Sequence, residues 1–447
     1  MRRFVQIVIT TVLIVVLFPD GVVNASPRVQ DITPEEKVVI VIDPGHGGEN
    51  LGTTENNHTE KFMTMTTALA MYEELLLYDN VEVYLTHTDD RDLSLKKRAE
   101  FAASVDADFL FSIHYNASEN HEMYGAEVWV SAFPPYNGYG YQFGCEILTD
   151  IKEMGLLVRG VKTRFTSKGE DYYGIIRESV NLGVPAVIIE HCHVDEERDA
   201  VYCDNDEKLQ AFGRMDATAV ARYFGLKSSV LNVDYSKHSL SEASGEAAVK
   251  ETLNDTSAPD VCQIEFSAME YENGNLALNV TAADYDSALL YYSYSLDGGN
   301  TFSVRESWPG SDALTGNYQD TFTLHLEIAP DMKPEVIVRA YNQYDLYTES
   351  NICKVAEEAS ALWETDVSDD LSMGSHTSME GQSSMINNSA EESVPASADS
   401  EGTEYNVVNF LEVLALCLGL ASFLLIVLTI VQGIIYHNRR KHDSHKS

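Results

Sequence analysis

Positive charge is scarce in this chain. Its 447 residues hold 30 Lys+Arg against 70 Asp+Glu, a formal net charge of -40. A surface of that sign repels phosphate backbones, which argues against nucleic acid as a partner. It favours solubility and says nothing about fold. Cysteine is scarce too: there are six, and no CxxC spacing occurs, so nothing supports a thiolate zinc site. Cys192 and Cys203 are near neighbours, and Cys262 and Cys353 sit near the two ends of one segment. A bridge between that second pair is compatible with export, but spacing alone assigns no connectivity. What the chain does have is 44% hydrophobic residues, enough for a sizeable core, and length for two ordinary domains plus targeting segments.

Long apolar runs are read at the two ends. Arg2 and Arg3 precede an apolar run from Phe4 to Phe18, and Val23-Asn24-Ala25 offers small residues for cleavage. These are the parts of a secretory signal, expected over 1–25. A second run extends from about Val413 to Tyr436 and is followed by Arg439, Arg440 and Lys441. Its length suits a membrane helix, expected over 411–436, and the positive-inside rule puts the basic tail 437–447 in the cytoplasm. The expectation is a single-pass protein of a bacterial cytoplasmic membrane, held by a C-terminal helix with its bulk outside.

Between these ends the chain changes character several times. Residues 37–227 alternate apolar strands with helical patterns, which implies an α/β fold with a twisted mixed sheet flanked by helices. Val38–Ile42 is a continuous apolar run, as in a strand buried on both faces, and Phe109–Ile113 is another apolar strand. Val81–Leu85, Ala126–Val130 and Ala186–Ile189 read as further strands. Phe62, Met65, Leu69, Tyr72 and Leu76 recur at helical spacing, as does the pattern over Asp206–Phe224. Residues 228–258 are polar and read as a linker. Residues 259–357 read as an all-β, sandwich-like domain, with strands over Leu276–Val280, Leu289–Leu296, Thr301–Val304, Thr321–Leu326 and Val336–Ala340. Asp297-Gly298-Gly299-Asn300 is a hairpin-turn signal. Residues 358–406, rich in Ser, Glu, Asp and Asn without periodicity, read as a disordered acidic stalk.

Three strands of the α/β region run into groups that bind metals or move protons. Val38–Ile42 leads to Asp43-Pro44-Gly45-His46-Gly47-Gly48, Phe109–Ile113 leads to His114, and Ala186–Ile189 leads to Glu190. Sites in open α/β sheets form beyond the carboxyl ends of strands, so residues distant in sequence meet there. Glu60 stands at the start of a helix, where a carboxylate is electrostatically favoured. His46, Glu60 and His114 make the three-ligand His/carboxylate set of a catalytic zinc ion, and Glu190 suits the role of proton acceptor. Each residue alone reads more readily as an ordinary surface or packing group; it is their joint placement at strand ends that points to metal.

The run Val39-Ile40-Val41-Ile42-Asp43-Pro44-Gly45-His46-Gly47-Gly48 resembles the opening motif of the zinc-dependent N-acetylmuramoyl-L-alanine amidases. Glu60-Lys61 resembles the family's Glu-Lys pair heading a helix, and Leu95 to Arg98 its Leu-x-x-Arg segment. Ser112-Ile113-His114-Tyr115-Asn116-Ala117 resembles its Ser-Ile-His-x-Asn-Ala motif, and Pro185 to Glu190 its strand bearing the catalytic glutamate. The match covers about 37–226. The resemblance implies zinc held by His46, Glu60 and His114, Glu190 as general base, and Asn116 at the substrate. It implies hydrolysis of the amide between N-acetylmuramic acid and L-alanine, with peptidoglycan as the partner polymer.

The chain departs from the family in places. Thr86-His87 stands where Thr-Arg is usual, and Glu190 is followed by His191-Cys192-His193-Val194-Asp195. Those two histidines read as packing groups rather than ligands, and His58 as a weak alternative ligand. These changes bear on substrate preference more than on the metal. Arg159, Arg164, Lys168 and Arg177 are candidate cations for an anionic stem peptide, Arg177 foremost. Two other readings stay open: a zinc peptidase acting on wall stem peptides, and a non-catalytic wall-binding or regulatory protein. The β-domain is read as a binder of wall polymer or of a protein partner, or as a spacer. Tyr291, Tyr292 and Tyr294 are the residues that suggest carbohydrate.

Overall fold

The computed structural model describes residues 37–356, except 57, 241–253, 271–273, 317, 330 and 331. The expected signal peptide, stalk, apolar run 411–436 and basic tail all lie outside the described residues.

A six-stranded mixed sheet forms the centre of the α/β region. Its strands are β1 (Val38–Pro44), β2 (Val81–Leu85), β3 (Phe109–Asn116), β4 (Ala126–Val130), β5 (Val158–Lys162) and β6 (Ala186–His193), in the order β2-β1-β3-β6-β4-β5. β1, β2, β3 and β6 run parallel; β4 is antiparallel to β6 and parallel to β5. That reversal matters for function. It sets the beginning of β4 beside the end of β6, so that Glu127 pairs directly with Glu190.

Helices cover both faces, which is why β1 and the first half of β3 are mostly apolar. The helices are α1 (Glu60–Leu75), α2 (Leu95–Ser104), α3 (Tyr136–Glu153), α4 (Gly174–Asn181), the short α5 (Glu197–Ala200) and α6 (Asp206–Tyr223). On one face Met63 and Met71 of α1, Phe143 and Ile147 of α3, and Phe212 and Val220 of α6 bury Phe109, Phe111, Val187 and Ile189. On the other, Ala102 of α2 and Ile175 and Ile176 of α4 cover Val41, Leu110 and Ile188. α6 starts where the Asn205 side chain accepts from the Lys208 amide, satisfying one of the orphan donors of a helix N-terminus.

The segment expected as a linker starts inside this core. β7 (Lys227–Ser228) pairs with β8 (Val233–Asp234), and Leu231, Val233, Tyr235 and Leu240 pack against the α/β core. Beyond it, β9 (Val261–Glu270), β10 (Asn275–Ala283) and β13 (Gln319–Glu327) form one antiparallel sheet. β11 (Leu289–Ser295), β12 (Glu306–Ser307), β14 (Glu335–Asn342), β15 (Tyr347–Glu349) and β16 (Cys353–Lys354) form another. Ile264, Leu278, Val280 and Leu324 of the first meet Leu289, Val336, Val338 and Ala340 of the second, a sandwich core. No strand forms over 301–304. Asp297 accepts from the Thr301 amide and hydroxyl, which draws that stretch into the turn, and β11 pairs with β12 instead. Cys262 and Cys353 are not joined by a disulfide; the Cys262 Sγ donates to the Val338 carbonyl.

Among the described residues no helix is long and apolar enough to cross a membrane. The longest, α3 and α6, have 18 residues each, short of the ~20 apolar residues a span needs. α6 also carries Asp206, Glu207, Lys208, Arg214, Asp216 and Arg222. The expectation of a single-pass membrane protein is corrected accordingly.

Candidate active site

β1 ends in the turn that carries His46, whose backbone lies in the left-handed region at φ 68. A non-glycine residue there is held against its preference, a feature that clusters at functional sites. The restraint comes from Arg98, a buried side chain of α2. It donates to the carbonyls of Leu93, Pro44 and His46 and to the Asp43 carboxylate, all within 2.6–2.8 Å. Asp43 accepts further bonds from the Thr86 and Ser112 hydroxyls. The Leu-x-x-Arg segment therefore braces the turn that carries His46. Breaking a buried pair by removing one partner strands the other charge. Arg98→Ala is expected to cost about 3 kcal/mol or more in a urea titration.

Gly45 precedes that turn for a reason of space rather than of conformation. A Cβ at this position would lie 2.4 Å from the ring of His114. The close approach of β1 to β3 puts the two imidazoles edge to face, centroids 4.9 Å apart.

Glu60, buried at the N-terminus of α1, lies between them. Its Oε1 is 3.0 Å from His46 Nε2 and 3.1 Å from His114 Nδ1, and accepts from the Tyr115 amide. Its Oε2 accepts from the Thr53 amide at 2.8 Å. Burial alone would raise this carboxyl, but hydrogen bonds from His114 and His46 hold it well below the usual carboxylate range. Burial pulls the His46 imidazole down, and its bond to Glu60 outweighs that, leaving it above its ordinary value.

The three ligand atoms lie within 4.8 Å of one another, and no other such group exists among the described residues. Their chemistry fits a zinc ion. Two imidazoles and a carboxylate are a common catalytic donor set, and a tetrahedral ion with bonds near 2.1 Å sets its ligands about 3.4 Å apart. The other ring nitrogen of His46 faces the Asn50 side-chain oxygen at 3.0 Å, which fixes Nδ1–H and leaves the Nε2 lone pair for an ion.

Glu190 pairs with His114 across β3 and β6 and with Glu127 across β6 and β4. Paired residues share a sheet face, so the three side chains stand together. Glu190 Oε2 is buried and has no hydrogen-bond partner. Burial and repulsion from Glu60 and Glu127 push this carboxyl well above its ordinary range. Asn116, at the end of β3, donates to Glu127 at 2.9 Å while its oxygen accepts from the Ala117 amide.

The remaining candidates are placed elsewhere. Arg177 donates to the Asp171 and Tyr172 carbonyls and so closes the start of α4. Arg164 is exposed over the Tyr172 ring at 3.9 Å, and Lys168 is exposed. Arg159 is buried against Glu127. His58 is outside the three-residue cluster. His191 sits 3.0 Å from both oxygens of Asp216 and donates from Nδ1 to the His114 carbonyl, a brace on the strand end. His193 donates to the Gly125 carbonyl, and burial pushes it down to about 4. His87, where the family has Arg, is buried beside Thr86. The group that sequence reading missed is Glu127, although a carboxylate inside the strand Ala126–Val130 was a visible anomaly.

Residues 40–222 match the family model described as N-acetylmuramoyl-L-alanine amidase. The N-acetylmuramoyl-L-alanine amidase CwlM of Bacillus licheniformis is 34% identical over 190 residues, covering 42% of this chain and 70% of that protein. The sporulation-specific N-acetylmuramoyl-L-alanine amidase of Bacillus subtilis (strain 168) is 31% identical over 191 residues, covering 42% and 69%. Among solved structures, an N-acetylmuramoyl-L-alanine amidase from Clostridium difficile 630 is 27% identical, with a TM-score of 0.37, over 42% of this chain and 97% of that one. The chain belongs to the N-acetylmuramoyl-L-alanine amidase family.

Proposed function

We propose that the chain hydrolyses the amide between N-acetylmuramic acid and L-alanine in peptidoglycan, and that the reaction runs at the cluster of His46, Glu60, His114 and Glu190. The observation that carries this reading is the convergence of three ligand atoms beside a buried, unpartnered carboxylate oxygen. His46, Glu60 and His114 would hold the ion. When bound, zinc supplies a Lewis acid that acidifies water and polarises the scissile carbonyl. Glu190 takes the proton from the attacking water and returns it to the leaving amine, as a carboxyl of raised proton affinity is able to do. Arg98 and His191 hold the strand ends so that the ligands stay in place. Residues 37–227 form the catalytic domain, 228–258 lead out of it, and 259–357 form an accessory β-domain.

The test is product chemistry. The purified protein, given peptidoglycan, is expected to release intact stem peptides, identified by mass spectrometry, and to stop when a chelator is added. Single amino acids among the products would mark a peptidase. No release from folded, zinc-loaded protein would mark a binding protein.

A further inference from the structure

Among its contacts with the catalytic region, the sandwich packs a turn against β5. The turn from β14 to β15 sets Gln343, Tyr344 and Asp345 against β5. Asp345 accepts from Arg159 at 2.5 Å and from Arg305 at 2.9 Å. Gln343 donates to the Val161 carbonyl, and the Tyr344 hydroxyl accepts from the Thr163 amide. Tyr291 of β11 accepts from Arg159 at 2.6 Å and donates to the Tyr124 carbonyl. β5 is shaped for this contact: Gly160 has φ +91, and a Cβ there would lie 2.4 Å from the Gln343 amide nitrogen.

On the other side of Arg159 stands Glu127. Its Oε2 accepts from Arg159 at 2.8 Å and from Lys162 at 2.7 Å; its Oε1 accepts from Asn116 at 2.9 Å and Trp129 at 3.0 Å. Glu127, Arg159 and Lys162 are all almost fully buried. Within the α/β region this set holds two cations and one anion. Asp345, from the sandwich, supplies a second anion, which Arg159 shares with the sandwich's own Arg305. A buried charge left without its partner is costly, so the balance of the set depends on the accessory domain.

We infer that the sandwich is a working part of the amidase site: Asp345 and Tyr291 hold Arg159 so that Glu127, a positioning residue, stands fixed between Asn116 and Glu190. Without Asp345, Arg159 turns both arms to Glu127 and draws its carboxylate toward β5, away from Asn116. The residue directly opposite Glu190 then shifts, and catalysis falls while substrate contacts beyond the strand ends are unchanged. The inference rests on the reading of Glu190 as the base.

The experiment uses the full chain, with kcat and KM on a soluble muramyl-peptide and a thermal melt for each variant. Asp345→Asn and Tyr291→Phe change only side chains of the sandwich, and each keeps its shape. Each is expected to lower kcat about tenfold and leave KM within about twofold, a change near 1.4 kcal/mol. Asp345→Glu restores most of the rate. Asp345→Asn placed on Glu127→Gln adds no further loss, because both act through one carboxylate. If both sandwich variants lower only the melting temperature and leave kcat and KM at parent values, the sandwich is a stabilising spacer and the inference is wrong. Glu190→Gln in the same assay separates the two readings. An inactive Glu190→Gln beside silent sandwich variants overturns this inference alone, whereas an active Glu190→Gln overturns the assignment of the base.

Discussion

Replacing Glu190 with Gln lowers kcat by about three orders of magnitude, within the 10²–10⁴ range of general acid–base contributions, while bound zinc stays at the parent level. The argument begins with burial. Native structures leave few buried polar atoms unpaired, and each costs about 1–3 kcal/mol. Glu190 Oε2 is one of them. That lone pair is kept open on the face shared with His114, where a water to be deprotonated would sit. Gln has the same shape and no useful basicity, so the cavity persists and the proton has nowhere to go. Because the change removes a carboxyl repelled by Glu60 and Glu127, the variant melts no lower than the parent. The sign in pH follows. A carboxyl raised above 4.5 in the fold binds its proton more tightly than in the unfolded chain. The contribution of Glu190 to the stability of the metal-free parent is therefore lost as pH rises above 4.5, and Glu190→Gln lacks that one dependence. The gap in melting temperature between them widens toward neutral pH. A variant that keeps its zinc and turns over within tenfold of the parent would move the proton acceptor elsewhere.

The strands that carry the site were legible because they are buried on both faces. Val38–Ile42 and Phe109–Ile113 are apolar runs that only a doubly covered sheet requires, and β1 and β3 hold them. β6 extends beyond the expected Ala186–Ile189 to His193, because Glu190, His191 and His193 find buried partners or a purpose in the sheet that periodicity does not register. β5 escaped notice for a related reason. Val158–Lys162 alternates valine with Arg159 and Lys162, a pattern that reads as solvent-facing. Only tertiary contact with Glu127 and Asp345 makes it a buried strand, and that partner lies 186 residues further on. The same fact explains the cations. In sequence Arg159, Arg164, Lys168 and Arg177 are equivalent; in space one is locked in a buried network, two are exposed and one caps a turn. The three tyrosines of β11 divide likewise. Tyr291 is buried against the catalytic region, while Tyr292 and Tyr294 pack on the sandwich core, so these three do not share one open face. The cluster of His46, Glu60 and His114 was readable because chemistry restricts the residue types that converge in this way. The residues that hold the cluster in place were not, since a brace is defined by distance and any polar residue at the right point will serve.

Glu60→Gln is expected to weaken zinc binding by more than 100-fold, beyond the 10–100-fold that loss of an outer partner brings, and to reduce turnover to that of chelated parent. The carboxylate accepts from two backbone amides and faces two imidazoles. An amide cannot repeat this: its NH2 must face either the Thr53 N–H or the space between the histidines, and each position already presents a donor or needs a lone pair. A competition titration against a zinc-binding dye measures the affinity, and parent-like binding by this variant would remove Glu60 from the ligand set. The parent's own pH dependence has a defined sign. His46 is raised above 6.5 by Glu60, so its contribution to the stability of the metal-free protein is complete below pH 6.5 and is lost as pH climbs through the raised value. Zinc needs the same nitrogen without its proton, so its affinity rises over that interval. Both effects act in one direction. The increase in melting temperature on adding zinc is therefore larger at about pH 8 than at about pH 6, and the difference shrinks in Glu60→Gln, where neither the raised imidazole nor the ion is held.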